Sequence, residues 1–350
     1  MTENPKHLLD RVSESPHRPS KIAKTAAQNL SNDEEEQQEA PMGPSPRTQR
    51  YLVAIEYIGT RFSGSQQQPN FRTVVGVLED AGVHALSNVC HVDIQRISKR
   101  KPGEVLPPHE QTVVRRAVNH FLQKNEGDIM VIDVRCVPAD FHARFKAQER
   151  TYFYRLLSGP EPLSTFERDR AWHVPEELDI LAMQEACKIL VGHHDFSSFR
   201  AAGCQAKSPI RTLDELTVSE VVSTPYFPSI VERRQNNLIM EDLHASSNKS
   251  ESDLPVSSIS IGNGASGFNG EASLGFGIRR RHRCFVVTAR ARSFLYHQVR
   301  LLVGVLKAVG TGNLTISDVE RILNAKSVTA ASPMAPPCGL YLGHVKYDLP

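Results

Sequence analysis

The sequence contains no apolar run that approaches the ~20 residues a helix needs to cross a bilayer. It also lacks a Cys-x-x-Cys pair, because its six cysteines are scattered along 350 residues. Such thiols fit a reducing compartment better than a disulfide framework or a zinc site. We therefore expect a globular protein that does not span a membrane and works in the cytoplasm or nucleus, with import into an organelle left open.

The chain has little net charge, +2, but the charge is unevenly distributed. Residues 1–50 hold seven basic and eight acidic residues, and residues 222–278 hold three and six. The rest of the chain then carries 31 basic against 25 acidic residues. This surplus favours binding of a polyanion but is too small to identify one.

Apolar residues are scarce in two segments. Residues 1–48 are rich in Ser, Pro, Gln and charge, so we expect a disordered tail; Glu3 and Asp10 argue against a transit peptide. Residues 223–277 are rich in Ser, Asn and Gly, which predicts a low-complexity insertion between two strands.

The remaining segments show strand and helix periodicities without strict alternation of the two, which favours an α+β fold. Strands are predicted over residues 51–57, 83–94, 129–137, 150–157, 213–222, 283–291 and 339–345. Helices are predicted over residues 72–79, 111–122, 178–191, 294–309 and 317–325. The helix over 111–122 is amphipathic, with its apolar residues at helical spacing: Val114, Val118, Phe121 and Leu122. The helix over 294–309 is apolar on most faces and should be buried. Ser317 to Glu320 is predicted to be the capping box of the last helix.

Five motifs occur in a specific order. They are Asp80-Ala81-Gly82-Val83-His84-Ala85, Asp140-Phe141-His142-Ala143-Arg144-Phe145, Asp195-Phe196-Ser197-Ser198-Phe199-Arg200, Ser293-Phe294-Leu295-Tyr296-His297-Gln298-Val299-Arg300 and Gly339-Leu340-Tyr341. With this set, residues 50–350 resemble the tRNA pseudouridine synthase A family. The resemblance implies a mixed, mainly antiparallel sheet with flanking helices, in two similar halves at residues 49–165 and 166–350. It also implies a homodimer that binds tRNA and isomerises uridine to pseudouridine in the anticodon stem-loop without a cofactor or metal.

The resemblance assigns Asp80 as the catalytic carboxylate, which attacks or deprotonates the ribose. From the residues alone, an Asp followed by Ala-Gly is more often a turn or a cap. Tyr152 is implied to stack on the extruded uracil, although a tyrosine in a strand can equally be core. Tyr154 is predicted to be core.

Arg300 lies inside the most apolar helix, where a guanidinium needs an anionic partner. The resemblance names Asp80 as that partner; pairing with a local acid is the alternative. His142, Arg144 and Arg150 are predicted to bind RNA, with Phe141 and Phe145 between them, and residues 279–300 add seven arginines and no acid. Ordinary solvated strand faces are the alternative for any single arginine. The pair His193-His194 suggests a solvated pair rather than a metal site.

The chain departs from the family pattern directly before Asp80. Family members have the rest of a helix and a strand here, ending in Gly-Arg-Thr, a segment of about 15 to 25 residues by average element length. In this chain Leu78 and Glu79 precede Asp80. We infer an internal deletion at 79/80, and Glu79 should raise the pKa of Asp80. The alternative function is a catalytically impaired RNA-binding isoform; an unrelated interaction protein is a third interpretation.

Overall fold

The computed structural model describes residues 48–61, 83–125, 127–221, 282–331 and 333–349. The expected tail (apart from Thr48), the helix expected over residues 72–79, Asp80 and the expected insertion at 223–277 lie outside these ranges. Those predictions are therefore untested by the fold.

Nine strands form one mixed sheet in the described part of the chain. They are β1 (Gln49–Tyr57), β2 (His84–Ile94), β3 (Ile129–Val137), β4 (Glu149–Ser158), β5 (Trp172–Val174), β6 (Gly192–Asp195), β7 (Ile210–Val221), β8 (Arg283–Ala291) and β9 (Leu340–Lys346). Their order is β3-β1-β2-β9-β4-β8-β7-β6, and β5 lies beside β4. Six of the eight strand pairs are antiparallel, while β2–β9 and β4–β5 are parallel. The predicted α+β fold is confirmed.

Four α-helices accompany this sheet in the same described ranges: α1 (Gln111–Asn125), α2 (Ile180–Leu190), α3 (Gln298–Gly310) and α4 (Ile316–Ala325). None of them is both long enough and apolar enough to cross a membrane. The seven predicted strands and these four helices are present; β3 and β8 match at both ends, and the other ends lie within four residues of the prediction. Strands β5 and β6 were not predicted, because three or four residues are too few for a periodic signal.

The largest core lies where α2, α3 and α4 pack on β4, β7 and β8. Leu302, Val303, Val305 and Leu306 of α3 are fully buried, as predicted from the apolar character of this helix on most faces. The backbone also packs closely: a Cβ on Gly304 would lie 2.3 Å from the Pro333 carbonyl oxygen. The segment after α4 is therefore held directly on the surface of α3.

Two predicted helix starts are wrong. Helix α3 begins at Gln298 and not at Phe294, because His297 adopts a left-handed backbone conformation with φ of 61° at the N-cap. The capping box of α4 consists of Thr315 and Asp318, not of Ser317 and Glu320. The Thr315 hydroxyl accepts from the Asp318 N–H at 3.2 Å, and the Asp318 carboxylate accepts from the Thr315 N–H at 2.9 Å. Asp can replace the usual Glu because both bonds are satisfied.

The predicted apolar face of α1 is only partly buried. Val114 and Leu122 pack against a small core with Tyr51, Val53 and β3. Val118 and Phe121 are exposed, so the amphipathic pattern overestimated the buried face.

All six cysteines lie in described residues and are free, as predicted.

Candidate functional site

His84 begins β2, four residues after Asp80 in the sequence, and it is a buried histidine with only 2% of its surface exposed. Its Nδ1 accepts a hydrogen bond from the backbone N–H of Gly59, just beyond the end of β1, at 3.1 Å. Its Nε2 lies 3.0 Å from the carbonyl oxygen of Asp169. Since a carbonyl can only accept, the proton of the neutral ring is on Nε2.

The surroundings of His84 keep the ring neutral. Burial lowers its pKa first, and the cations of Arg170 and Arg155 lower it further, against the opposing effect of backbone hydrogen bonds. The ring stacks on Tyr341 of β9 with centroids 4.6 Å apart. The Tyr341 hydroxyl in turn donates to the Arg170 carbonyl at 2.6 Å. His84 therefore ties the start of β2 to Gly59 beyond β1, to β9 and to the 167–171 segment.

Asp169, whose carbonyl oxygen accepts the hydrogen bond from His84, has a left-handed φ of 62°. Its neighbour Glu167 is buried and holds Arg155 of β4 in a two-pronged ion pair, with N–O distances of 2.9 and 3.2 Å. Arg155 also donates to the Arg170 carbonyl at 3.3 Å. Two hydrogen bonds from one guanidinium to one carboxylate fix the orientation of the arginine side chain as well as pairing its charge. The loop that contacts His84 is thereby fixed to the central part of the sheet.

Tyr152 lies on β4, in register with Ala289 of β8 and Leu342 of β9. It is half-buried and packs against two of the cores. Its ring meets that of Phe294 edge to face, with centroids 5.2 Å apart. Tyr154 is fully buried, and its hydroxyl donates to the Pro336 carbonyl at 2.7 Å, so the prediction that it is core is confirmed.

Arg300 lies in the first turn of α3 and is 8% exposed, which confirms a buried guanidinium. Its Nε donates to the Ala335 carbonyl at 2.7 Å, while the Ala335 N–H donates to the Arg300 carbonyl at 3.1 Å. Its charge lowers the pKa values of Tyr154 and Cys338, although burial raises both of them more. Arg300 therefore lies near Tyr154, two positions along β4 from Tyr152.

The three residues predicted to bind RNA lie together on and beside the loop before β4. Arg150 donates from one Nη to the Arg292 carbonyl at 2.8 Å and from the other to the Arg144 carbonyl at 3.3 Å. His142 accepts from the Arg144 N–H at 3.2 Å. Arg144 itself is exposed. The loop thus presents a positive group two residues from Tyr152 along β4.

Comparisons with known proteins cover nearly the whole length of the relatives. Residues 186–348 match the family model described as tRNA pseudouridine synthase. The tRNA pseudouridine synthase A of Roseobacter denitrificans is 32% identical over 320 residues, covering 86% of this chain and 96% of that protein. The proteins of the same name from Paramagnetospirillum magneticum and Rhodospirillum centenum are 34% and 35% identical over 318 residues, covering 85% of this chain and 95% and 100% of those proteins.

The chain belongs to the tRNA pseudouridine synthase A family. The structure places two of the predicted site residues near the same strand: Tyr152 lies in β4, and Arg300 of α3 lies near Tyr154 of that strand. It also groups His142, Arg144 and Arg150 into one basic loop. The position of Asp80 lies outside the described residues, so its pairing with Arg300 and the roles of all six residues stay predictions.

Sequence reasoning missed several contacts around β4 and the start of β2. Glu167, which holds Arg155, falls in a segment for which no helix or strand was predicted, and its partner is twelve positions away. His84 and Tyr341 were each part of a motif, but their stacking depends on the pairing of β2 with β9. A polar residue such as His84 at the start of an otherwise small and apolar strand was the one available signal.

The adjacent histidines His193 and His194 have different hydrogen-bond partners. His193 contacts the Thr212 hydroxyl at 2.9 Å, whereas His194 contacts the Val191 carbonyl at 3.0 Å. Among the residues that the structure describes, no group of three or more His, Cys, Asp or Glu is placed to hold a metal ion.

Proposed function

We propose that this chain isomerises uridine to pseudouridine in the anticodon stem-loop of tRNA, acting as a homodimer in the cytoplasm or nucleus. The observation that supports this best is the full-length similarity: the relatives are aligned over 95–100% of their own length. The clustering of Tyr152, Arg300 and the basic loop around β4 is consistent with it.

The proposed reaction breaks the bond between the ribose C1′ and uracil N1 and forms a new bond from C1′ to C5. The proton released from C5 balances the one gained at N1, so no oxidant or other co-reactant is needed. Asp80 supplies the carboxylate that attacks or deprotonates the sugar, and no cofactor is required for that step. Arg300 orients this carboxylate, and Tyr152 holds the extruded base by stacking.

His142, Arg144 and Arg150 supply donors for the tRNA backbone. Phosphate contacts of this kind set register and affinity, while the base contacts set the position of reaction. The hydrogen bonds that join Arg150 to Arg144 and Arg292 hold the loop against the end of β8. In this proposal the loop positions the stem-loop so that one uridine reaches Tyr152.

A second candidate function is an RNA-binding isoform with impaired catalysis. It is favoured by Glu79 standing directly before Asp80. It is also favoured by the family pattern before Asp80, since the expected helix end and strand, roughly 15 to 25 residues, have no counterpart in the sequence.

The test uses purified protein and an unmodified tRNA transcript, with pseudouridine measured by mass spectrometry of nucleosides. The enzyme proposal expects product from the parent protein, no product from Asp80→Ala, and full activity from Asp214→Ala, which removes an exposed carboxylate. Tight, salt-sensitive tRNA binding without product supports the impaired isoform. Absence of both binding and product contradicts both functions. Sedimentation equilibrium tests the homodimer, which a monomer at micromolar concentration would contradict.

A further inference from the structure

Phe145 is the most exposed large hydrophobic residue described in this structure, with 75% of its surface accessible. A single exposed apolar side chain is ordinary and carries no meaning by itself. Phe145 differs in its setting, because Arg144 and Lys146 flank it and both are exposed. An aromatic face between two cations is the combination that proteins use to hold unpaired bases of a nucleic acid.

The Phe145 ring does not stand alone. It lies against the His142 ring with centroids 4.3 Å apart and an interplanar angle of 35°. His142 in turn contacts His91 of β2, with centroids 4.6 Å apart. Both histidines are less exposed than Phe145. The three rings therefore form a column of tilted contacts, at 35° and 54°, and not a parallel stack, with Phe145 at its solvent end.

The loop under this column is fixed by hydrogen bonds to its backbone. The Arg50 guanidinium donates to the Phe141 carbonyl at 3.0 Å, and the Tyr347 hydroxyl donates to the Ala143 carbonyl at 2.8 Å. Within the loop, the Lys146 N–H donates to the His142 carbonyl at 2.9 Å. The exposed position of Phe145 is thus built into an ordered loop, so a bound base gains a preformed surface.

The two histidines favour the neutral state in this geometry. The His91 Nδ1 accepts from the Ala143 N–H at 3.4 Å, and the His142 Nδ1 accepts from the Arg144 N–H at 3.2 Å. Protonation of either Nδ1 would place a proton against a backbone donor. Neutral rings also stack on Phe145 without adding charge to a loop already carrying Arg144 and Lys146.

We propose that Phe145, supported by His142 and His91, is a stacking platform for an unpaired base of the tRNA loop, separate from the uridine that Tyr152 holds. This proposal rests on the proposed function for the identity of the RNA. The Arg144 and Lys146 charges on either side complement the phosphates that flank such a base. The platform would hold a neighbouring loop nucleotide while the target uridine is extruded.

The test measures binding of two RNAs by fluorescence anisotropy: an anticodon stem-loop transcript and a blunt duplex of the same stem without the loop. Phe145→Ala should weaken stem-loop binding about 5- to 150-fold, the range that loss of base–aromatic stacking produces. Duplex binding should stay within about twofold, because its bases are already paired. Phe145→Trp should restore stem-loop binding, and Phe145→Leu should not.

The matched control is Phe121→Ala on α1. Phe121 is 62% exposed and also contacts a histidine, His120, at 5.5 Å, so it is a similar Phe–His pair elsewhere on the surface. Its removal should leave both affinities unchanged. Arg144→Ala should weaken the binding of both RNAs and reduce its salt dependence. Phe145→Ala should leave the salt dependence unchanged.

The outcomes separate this proposal from the proposed function. If Phe145→Ala binds the stem-loop as tightly as the parent, or if Phe145→Leu substitutes fully, the platform is wrong even when the parent protein makes pseudouridine. If Phe145→Ala loses only stem-loop binding while the parent makes no pseudouridine, the platform stands and the proposed activity fails. A parent protein that binds neither RNA overturns both.

Discussion

His84 offers the sharpest test of what fixes the start of β2 in the fold. Its two ring nitrogens have different partners: Nδ1 serves the buried N–H of Gly59, and Nε2 serves the carbonyl of the exposed residue Asp169. A buried donor left without an acceptor costs ~1–3 kcal/mol, whereas an exposed carbonyl can bind water instead. The two hydrogen bonds should therefore contribute unequally to stability.

His84→Ala loses both hydrogen bonds and the stack on Tyr341 and leaves a cavity, so we expect a loss of about 3–5 kcal/mol. His84→Asn keeps an acceptor near the Nδ1 position and should lose about 1–2 kcal/mol. His84→Gln keeps only a donor near Nε2 and should fall between them.

Urea unfolding followed by circular dichroism measures these three free energies against the parent. The ranking Asn, Gln, Ala from most to least stable is the expected result. If Gln is as stable as Asn or more so, the assignment of the proton to Nε2 is wrong, or the Gly59 bond contributes little. The control is His344→Gln, which replaces an exposed histidine and should leave the free energy of unfolding unchanged.

The same series predicts a pH dependence. Because burial and the nearby Arg170 and Arg155 hold the pKa of folded His84 below its usual value of 6.5, the neutral ring gives its full stability above about pH 6.5. As the pH falls below 6.5, the unfolded state binds the proton first and this stability is lost through the folded pKa. The gap between the parent and His84→Asn should shrink toward pH 5. His91 and His142, whose pKa values are also lowered, titrate equally in both proteins and cancel. A constant gap contradicts this reasoning.

Three further predictions follow from contacts elsewhere. Gly304→Ala should lower the free energy of unfolding measured in urea by about 1–3 kcal/mol, because the new Cβ would overlap the Pro333 carbonyl. This loss is expected although alanine is the better helix former. An increase in stability would show that the 333–339 segment moves away at no cost in free energy. Glu167→Ala should cost about 2–3 kcal/mol, because the half-buried Arg155 guanidinium loses its carboxylate partner. Glu185→Ala, which breaks an exposed pair with Lys188, should cost less than about 1 kcal/mol; similar losses in the two variants would contradict a partly buried, directional pair. Arg300→Lys keeps the positive charge but loses the hydrogen bond from Nε to the Ala335 carbonyl. The rate of pseudouridine formation should therefore fall at least about tenfold, which corresponds to 1.4 kcal/mol, while Tm changes little. Full activity of this variant would refute an orienting role for Arg300.

The regular elements were largely predictable from the sequence because their signals are local. The apolar character of α3 on most faces led directly to its buried position in the largest core, beside α2. The alternation in β7 and the β-branched residues in β8 gave strands with nearly the observed ends. The error at Phe294 has a local cause: apolar and aromatic residues continue through 294–296, but His297 takes a left-handed conformation that periodicity does not report.

The site was predictable only where a motif carried it. Tyr152, Arg300 and the basic loop lie close together because β4, α3 and the loop meet in the fold, which sequence order alone does not state. The contact between His84 and Tyr341 joins residues more than 250 positions apart. The parallel pairing behind it involves just two residue pairs, His84 with Tyr341 and Ala85 with Leu342, so it leaves no periodic pattern to detect. Asp80 stays a prediction that rests on its motif.

The place of β9 in the middle of the sheet has a consequence for synthesis. Strands β1 to β3 and strands β4 to β8 become complete long before residues 340–346 emerge from the ribosome, yet β9 is the strand that lies between β2 and β4. Until then each set keeps an open edge that another nascent chain could pair with. Without β9 the two sets would remain unjoined sheets prone to aggregation, so the region around β4 can be completed only after residues 340–346 have been synthesised.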